Sequence, residues 1–437
     1  MNNSKIYKLF IDAIRSVHPK ALIPKFITVR SDGILIADKL ILLQSVNNLY
    51  VIACGKAAAA MANAAEEILG DKLTSGICIT KHGHGLPLKK IEVIEAGHPY
   101  PDNHSYRASK TIINNYGHLN ENDVVLFLLS GGASSLMSEI LDNCNAEDIT
   151  TLNKVLVNSG ASIDEINIVR RHLSKLKGGQ LSKLIYPASV HSLIISDVPG
   201  NELQDIGSGP TAADPTTFDD ALNVLHNRSL LTKTPASVLK YLLDGQNGLI
   251  DDTVKKNSYY LSKTFNTIIG NNDIAVEAAA LSAYNAGFTT IQKGEAISGD
   301  AIETSRKISK ALLSYSGKLP CCFIWGGETT VSVTGKGKGG RSQHLALSIL
   351  REMKTSWTKP NKFTILCGGT DGTDGPTEAA GAITHEGMLT EKHITVETID
   401  SYLSEFNSNS FFKEFGTLLL TGPTQTNVMD IVIGILE

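Results

Sequence analysis

The first half of the chain alternates apolar runs with helical patterns. LYVIA and VVLFLL are followed by short turns and then by the helical stretches AAAAMANAAEEIL and SSLMSEIL, and SLIIS is followed by a Gly/Pro-rich loop. Such alternation is typical of parallel strands joined by crossover helices. After a polar, glycine-containing segment around 243–257 the pattern restarts with TIIG and ends in several strands, including FTILCGG and NVMDIVIGIL. The pattern predicts two α/β domains, residues 1–245 and 246–437, with the last strand free to return to the N-terminal domain.

Length and composition agree with two domains and exclude several classes of protein. The 437 residues exceed the roughly 250–300 that one core usually serves, and no apolar run approaches the roughly 18–20 residues of a membrane span. The beginning of the chain predicts an amphipathic helix, with Ile6, Leu9, Phe10 and Ile14 on one face, and shows no export signal.

The net charge and the positions of the cysteines indicate which partners and which cysteine chemistry to expect. The net charge of -4 provides no general field for nucleic acid or anionic membranes. The six cysteines lie mostly in or beside apolar runs without a CxxC pair, which predicts buried, reduced thiols. We therefore expect a soluble, cytoplasmic protein with no nucleic-acid or membrane partner, and a homodimer is a possible assembly.

Residues that directly follow the apolar runs are candidates for chemistry, because ligands of open α/β sheets bind outside the carboxyl ends of the strands. Lys56 follows Gly55 and begins a helix, where free backbone N–H groups favour an anion. Asp197 follows SLIIS and could hold Mg²⁺, accept a substrate proton or simply form an Asx turn. A turn of small residues follows VVLFLL and could either cradle an anion or form a tight connection: Ser130, Gly131, Gly132, Ala133, Ser134 and Ser135.

A basic cluster ends another helical pattern. Arg171 lies between Arg170 and His172, and Lys175 and Lys177 follow before a pair of glycines. Because residues three to four apart share a helix face, Arg171 and Lys175 could present their charges together. A solvated helix end favoured by the helix dipole is the alternative.

A glycine-rich segment in the second half carries three cations. Residues 335–342 read GKGKGGRS, which keeps the glycine spacing of a P-loop but has Arg341 where that loop has lysine. We therefore do not interpret it as a Walker A loop. Lys338 and Arg341 still predict a flexible cationic loop, since an arginine fork can bind a carboxylate or phosphate at two points. A surface hairpin is the alternative.

Three carboxylates in the second half also follow apolar runs. Glu328 comes after a glycine pair at the end of a predicted strand, and Asp371 and Asp374 lie in the glycine-rich loop after FTILC. The spacing of the two aspartates does not fit an EF-hand. Contact with a magnesium–nucleotide complex and simple turn formation both remain open.

Eight motifs, taken together and in this order, resemble those of the glycerate 2-kinase family: CGKAAAAM, GHPYPD, LLSGGASSL, RRHLSKLKGG, SDVPGN with GSGP, GGETTVSVTGKGKGGRSQ, GGTDGTDGP and TGPTQTNV. The resemblance runs over roughly residues 5 to 435. It implies a Rossmann-like N-terminal α/β/α domain and a smaller, leucine-rich C-terminal α/β domain with a mixed sheet. It also implies phosphorylation of D-glycerate at the 2-hydroxyl, dependent on ATP and Mg²⁺, in the cytoplasm. The lysine and arginine that the family is expected to require fall on Lys56 and Arg341, with Asp197 as a further site residue.

The residues and the resemblance together predict a kinase with defined roles. Lys56 and Arg341 neutralise the transferred phosphoryl group and grip the substrate carboxylate, and Asp197 holds Mg²⁺ or orients the acceptor hydroxyl. Since neither cation has a core to fill, we expect replacing either to change stability by less than about 0.5 kcal/mol. The remaining predicted binding residues are Ser130, Gly131, Gly132, Ser134, Ser135, Arg171, Glu328, Lys338, Asp371 and Asp374.

Two other functions remain open. An NAD(P)H-dependent reductase of hydroxypyruvate or tartronate semialdehyde would act on the same small acids, and some relatives in the family carry that name. The chain lacks the GxGxxG turn followed by a ribose-binding acid that such an enzyme would need. A non-catalytic sensor of sugar acids or nucleotides would need an output module, and no DNA-binding motif is apparent.

Overall fold

The computed structural model describes residues 2–333 and 335–437, and it divides into two compact units. The first, here called the parallel-sheet unit, comprises residues 22–269. The second, the mixed-sheet unit, combines the described residues up to 21 with residues 270–437. No helix in the described part of the chain is both long and apolar enough to span a bilayer.

The parallel-sheet unit contains a small antiparallel sheet and a six-stranded sheet. Its strands are β1 (Ile27–Val29), β2 (Gly33–Ile36), β3 (Lys39–Leu42), β4 (Leu49–Cys54), β5 (Ser75–Lys81), β6 (Ile91–Ala96), β7 (Val124–Ser130), β8 (Ser189–Ile195) and β9 (Thr264–Gly270). The helices in and at the start of this unit are α2 (Pro19–Phe26), α3 (Ala58–Leu69), α4 (Asn103–Tyr116), α5 (Ala133–Leu136), α6 (Ala146–Asn158), α7 (Ile163–His172), α8 (Gln180–Ile185), α9 (Phe218–Asn227) and α10 (Ala236–Gln246). Short 3₁₀ helices cover 43–45, 70–72, 199–201, 206–208, 231–233 and 259–261.

The six strands lie in the order β6-β5-β4-β7-β8-β9, and the pairs from β6 through to β8 are parallel. All seven residues of β7 are buried, as expected for a central parallel strand covered on both faces. From β4 the chain continues to one edge of the sheet, and from β7 it continues to the other. We call the position where β4 and β7 lie side by side the switch point, because a crevice for ligands forms at the carboxyl ends of such strands.

Helices α6, α7, α9 and α10 form a second apolar cluster in this unit. The cluster includes Leu152, Leu156, Phe218, Leu225 and Leu242. These helices flank β8 in the chain, so the connections that leave the switch point are long and helical. The sequence pattern predicted only crossover helices between strands and did not identify these four helices as a cluster of their own.

The mixed-sheet unit begins with α1 (Asn2–Ser16) and resumes after β9. Its further helices are α11 (Asn272–Asn285), α12 (Ala301–Ser314), α13 (Arg341–Ser356), α14 (Val396–Ser404) and α15 (Ser408–Glu414), with a 3₁₀ helix at 386–389. Its strands are β10 (Thr290–Lys293), β11 (Ile297–Asp300), β12 (Cys321–Thr330), β13 (Phe363–Gly369), β14 (Gly381–His385), β15 (Leu418–Leu419) and β16 (Asp430–Leu436). Strand β16 lies between β12 and β13, antiparallel to both, whereas β10 and β11 run parallel to β12.

This architecture confirms the predicted fold class of a Rossmann-like α/β domain with a smaller α/β domain that has a mixed sheet. The domain limits differ from the predicted 1–245 and 246–437. The segment after α10 stays in the parallel-sheet unit, because Val254 exchanges backbone hydrogen bonds with Gly178 and Asp214 and β9 then joins the sheet beside β8. The last strand, β16, does not return to the first unit but forms the middle of the mixed sheet.

A further difference from the predicted domain limits concerns the first helix, α1. The predicted apolar face of α1 is buried, with Ile6, Leu9, Phe10 and Ile14 almost inaccessible. This face packs against α11, β13 and β16 of the mixed-sheet unit. A sequence pattern identifies such a face but not its partner, so the prediction grouped the first 21 residues with the N-terminal domain, whereas the structure packs them with the mixed-sheet unit.

The cysteines follow the sequence-based prediction closely. All six are free thiols, five of them buried and Cys144 half-buried. Burial raises the pKa of Cys54 to about 12, which keeps this thiol protonated and unreactive at neutral pH.

Candidate active site

The turn after β4 and the turn after β7 are bonded to each other at the switch point. The Lys56 backbone N–H donates to the carbonyl oxygen of Gly131 at 2.9 Å, and the Ala57 N–H donates to the hydroxyl of Ser130 at 3.0 Å. The structure therefore brings together two features that the sequence predicted separately, the lysine and the small-residue turn.

Two glycines make this contact possible. Gly55 has a φ of +130°, and a Cβ at this position would collide with Ser130. Gly132 has a φ of +86°, and a Cβ there would lie 3.3 Å from Cγ of Lys56 and 3.0 Å from Nε2 of His98. The Lys56 side chain and the His98 ring therefore both lie against Gly132.

His98 is a site residue that sequence reasoning missed. It follows β6 and lies within the motif GHPYPD, but no residue of that motif was singled out. The sequence could have identified it, because His98 follows an apolar run in the same way as Lys56 and Asp197 do.

The backbone amides at the beginning of α3 are used within the fold. The N–H groups of Lys56 and Ala57 donate as described, and that of Ala58 donates to the carbonyl oxygen of Gly55 at 3.2 Å. These three amides are therefore not available to an anion, and the expectation for the remaining amides in the first turn of α3 stays a prediction. Positive charge at the switch point comes from the half-buried Lys56 side chain instead.

The hydroxyls that follow Gly132 are also partly engaged. Ser134 Oγ lies 2.9 Å from the hydroxyl of Ser208, and Ser135 Oγ donates to the carbonyl oxygen of Gly132 at 3.2 Å. Ser208 belongs to the motif GSGP and has a positive φ of 63°. These contacts fasten the GSGP segment beneath α5 and hold the turn in place.

Arg171 does not present its charge to a ligand. It is buried, with Asp205 at 3.2 Å and Asp214 at 3.1 Å. Lys175 instead pairs with Asp142 near the surface at 2.7 Å. The predicted common face fails because α7 ends at His172, so helical spacing does not relate the two residues. Arg170 and Lys177, on either side, line a small cavity next to Ser134 and Ser135.

Asp197 lies directly after β8, the neighbour of β7, and is half-buried. It therefore occupies the same edge of the sheet as the switch point, as predicted. Mg²⁺ in kinases is usually held by one or two carboxylates together with substrate phosphates. A single half-buried carboxylate at this edge fits that chemistry.

In the mixed-sheet unit Arg341 forms a charged cluster with Asp430 and Glu328. Its Nε and Nη2 donate to the two carboxylate oxygens of Asp430 at 2.6 and 2.8 Å, and its Nη1 donates to Glu328. Burial lowers the pKa of Arg341, but Asp430 and Glu328 raise it by more, so the guanidinium stays charged. Glu328 lies within β12 and not at its end, and Asp430 was missed by sequence reasoning.

Asp374 caps helix α13. Its carboxylate accepts hydrogen bonds from the backbone N–H groups of Ser342 at 3.1 Å and Gln343 at 2.8 Å. Burial raises the pKa of Asp374 to about 6, against the opposing effect of these hydrogen bonds. Asp371 accepts from the N–H of Thr373 at 3.0 Å, as in an Asx turn. For both aspartates the structure shows the turn and cap chemistry that the sequence left open.

The glycine-rich segment before α13 lies against the backbone of residues 405–408. Gly337 N–H donates to the carbonyl oxygen of Glu405 at 2.9 Å, and Lys338 bonds to Asn407 and Asn409 through its backbone. This close packing leaves room only for glycine at several positions of the segment. The segment is not a hairpin, because residues 331–333 and 335–340 form no strand. The Lys338 side chain is exposed. Thr334, within the motif quoted above, lies outside the described residues.

Comparison with known proteins supports one family. Residues 5–243 match the model of a domain of unknown function, DUF4147, and residues 321–430 match the MOFRL family. A glycerate 2-kinase from Pyrococcus horikoshii is 39% identical over 98% of this chain and 96% of its own length. The chain belongs to the glycerate 2-kinase family.

Solved structures and other relatives of this family extend the comparison. The crystal structure of a glycerate kinase from Thermotoga maritima covers 99% of each chain with 36% identity and a TM-score of 0.81. An Agrobacterium vitis protein with a provisional hydroxypyruvate reductase name is 35% identical over 97% of this chain. The glycerate 2-kinase family thus includes members named after both of the enzyme functions considered from the sequence.

One cluster in the described residues has the ligand types and spacing of a metal site, and it does not suit magnesium. Its members are His82, Asp102 and His104. Two imidazoles favour transition metals, whereas Mg²⁺ prefers oxygen ligands. The Asp102 carboxylate also caps α4 through the N–H groups of His104 and Ser105. This cluster therefore gives no support for a magnesium site.

Proposed function

We propose that the protein transfers the γ-phosphoryl group of ATP to the 2-hydroxyl of D-glycerate, giving 2-phosphoglycerate and ADP. The observation that carries this proposal is the placement of Lys56 at the switch point, against Gly132 and beside His98. Membership of the glycerate 2-kinase family supports the same reaction.

Phosphoryl transfer depends on positioning and on neutralising charge that spreads over the transferred group. The Lys56 ammonium provides one positive charge at a fixed place, because its backbone is bonded to the turn after β7. Arg341 stays charged and about one third of its side chain is accessible, so it stays our candidate for binding an anionic group of a substrate.

We propose Asp197 as the carboxylate that holds Mg²⁺. The ion, when bound, supplies further positive charge next to the phosphate oxygens. If Asp197 holds the metal, replacing it with asparagine should raise the Mg²⁺ concentration needed for half-maximal rate by at least about tenfold while the fold is kept, which a Mg²⁺ titration of both proteins measures. An unchanged Mg²⁺ requirement would contradict this role.

The same geometry disfavours the reductase. A dinucleotide-binding turn presents free backbone N–H groups to the pyrophosphate at the first helix of the sheet. Here the N–H groups of Lys56, Ala57 and Ala58 are bonded within the protein, and Ala57 and Ala60 stand where the GxGxxG fingerprint carries its second and third glycines. The arrangement suits a phosphoryl group held by a side-chain cation better than a cofactor held by backbone amides.

A coupled assay tests the proposal. Purified protein with ATP, Mg²⁺ and D-glycerate should release ADP, and omission of D-glycerate or addition of excess chelator should stop the release. The same preparation should not oxidise NADH or NADPH with hydroxypyruvate. Reductase activity without ADP release would overturn the proposal.

A further inference from the structure

A small cavity lies beside the switch point, in the parallel-sheet unit. Its polar lining includes Ser134, Ser135, Ser138, Glu139, Arg170 and Lys177. Residues 99–101, which follow His98, form part of the remaining wall. The cavity is thus lined in part by residues that follow Gly132 and His98 in the chain, and these two residues lie close to Lys56.

Two charged side chains are buried in this lining. Lys177 is 4% exposed, donates to the carbonyl oxygen of Met137 at 2.7 Å and lies 3.8 Å from Oε2 of Glu139. Burial lowers the pKa of Lys177, and the neighbouring Glu139 opposes that shift. Burying a charged lysine and glutamate costs folding free energy unless the two charges pair with each other or bind a ligand.

Glu139 is satisfied on one oxygen and not on the other. Oε1 accepts from the hydroxyl of Ser174 at 2.5 Å and from the backbone N–H of Lys175. Oε2 is buried and has no hydrogen-bond donor among the described residues. An acceptor in this state can accept a hydrogen bond from a bound molecule, such as one that carries a hydroxyl group.

Arg170 adds the third charge. Its Nε donates to Asn153 at 2.9 Å, which uses one of the five N–H donors of a guanidinium. Arg170, Lys177 and Glu139 together carry a net charge of about +1 when all are ionised. The lining therefore favours one anionic group accompanied by a hydroxyl, which is the composition of a small hydroxy acid.

The charge of the lining separates the two substrates of the proposed reaction. One carboxylate matches the net charge of about +1, whereas the triphosphate of ATP would place several negative charges beside Glu139.

We infer that this cavity is the subsite for the carboxylate end of the acceptor acid, with Arg170 and Lys177 binding the carboxylate and Glu139 accepting a hydrogen bond from a hydroxyl of the same acid. The inference rests on the proposed function, because it assigns a place to that reaction's acceptor. It makes these three residues determinants of specificity for hydroxy acids over neutral polyols.

Arg170→Gln tests the assignment in the full-length protein. Titration calorimetry with D-glycerate, without nucleotide, should show binding weakened by about 10–100-fold, the usual effect of losing a charge-assisted hydrogen bond. The KM for D-glycerate should rise by a similar factor and the KM for ATP should stay within about twofold. Arg107→Gln, which removes an exposed arginine from α4, is the matched control and should change neither constant.

Arg170→Lys is a control for a purely structural effect. It keeps the positive charge but loses the hydrogen bond from Arg170 Nε to Asn153. It should recover part of the D-glycerate affinity that the glutamine variant loses. An unchanged KM for D-glycerate in Arg170→Gln, or a rise confined to the KM for ATP, would overturn the inference while leaving the kinase intact. Wild-type protein that binds D-glycerate through Arg170 but never phosphorylates it would instead overturn the proposed function and keep the subsite.

Discussion

Removing the Arg341 side chain should destabilise the protein far more than a surface substitution does. The Asp430 side chain is 3% exposed, and both of its oxygens accept hydrogen bonds from Arg341. Arg341→Ala leaves that carboxylate buried without its partner. Breaking a buried ion pair in this way costs about 3–5 kcal/mol, so the expectation from the sequence, a change below about 0.5 kcal/mol, is replaced by a value several times larger.

The magnitude can be measured by urea unfolding of purified variants, followed by circular dichroism. Arg351→Ala is a matched control on the same helix, because Arg351 pairs with Asp400 at the surface, where the two side chains are 38% and 46% exposed. Surface pairs contribute roughly 0–1 kcal/mol, so this variant should lose no more than that. Arg341→Lys, which keeps the charge but not the two-pronged contact, should fall between the two.

A double variant separates the buried charge from other effects. Asp430→Asn removes the charge that Arg341→Ala would leave unpaired, so Arg341→Ala/Asp430→Asn should be more stable than Arg341→Ala alone by about 1–3 kcal/mol. If Arg341→Ala lost less than about 0.5 kcal/mol, or if the second substitution brought no recovery, the interpretation of Asp430 as a buried anion dependent on Arg341 would be refuted.

Three further outcomes follow from the parallel-sheet unit. Lys56→Met should lower kcat by about 10²–10³-fold, the range for loss of a transition-state charge partner, with a melting temperature close to wild type; near-normal turnover would remove Lys56 from the site. Gly55→Ala should reduce both folded yield and activity, because its Cβ collides with Ser130 and its φ is +130°; a stable, active variant would contradict the geometry of the turn. Burial, assisted by Lys39, lowers the pKa of His191 to about 4, below its ordinary value of about 6.5. Unfolding then binds a proton as pH falls from about 6.5 to 4, so stability present at neutral pH should drop by about 2 kcal/mol at pH 5, and His191→Gln should flatten that dependence in urea titrations at both pH values.

The features of the site that the sequence predicted lie at the ends of apolar strands. Lys56, the turn from Ser130 and Asp197 all follow such strands, and the parallel sheet brings their ends to one edge. The pattern of apolar runs is sufficient for this because strand ends of a parallel sheet share an edge whatever the details of packing.

Residues that depend on long-range contacts were missed or misread. Arg171 looked like a cation for a ligand, but it pairs with Asp205 and Asp214, which lie more than 30 positions later in the chain. Asp430 lay in the predicted strand NVMDIVIGIL and Glu139 in the predicted helical stretch SSLMSEIL, and neither was singled out. A carboxylate within a buried segment needs a partner, but only the structure identifies Arg341 beside Asp430 and Lys177 beside Glu139.

The position of the phosphoryl group in the product tests the central claim most directly. Protein incubated with ATP, Mg²⁺ and D-glycerate can be followed by ³¹P nuclear magnetic resonance with proton coupling, which distinguishes phosphate on the 2-hydroxyl from phosphate on the 3-hydroxyl. The account predicts 2-phosphoglycerate formed in equal amount to ADP, and formed about 10²–10³ times more slowly by Lys56→Met. Phosphate found on the 3-hydroxyl, or released only as inorganic phosphate, would contradict it.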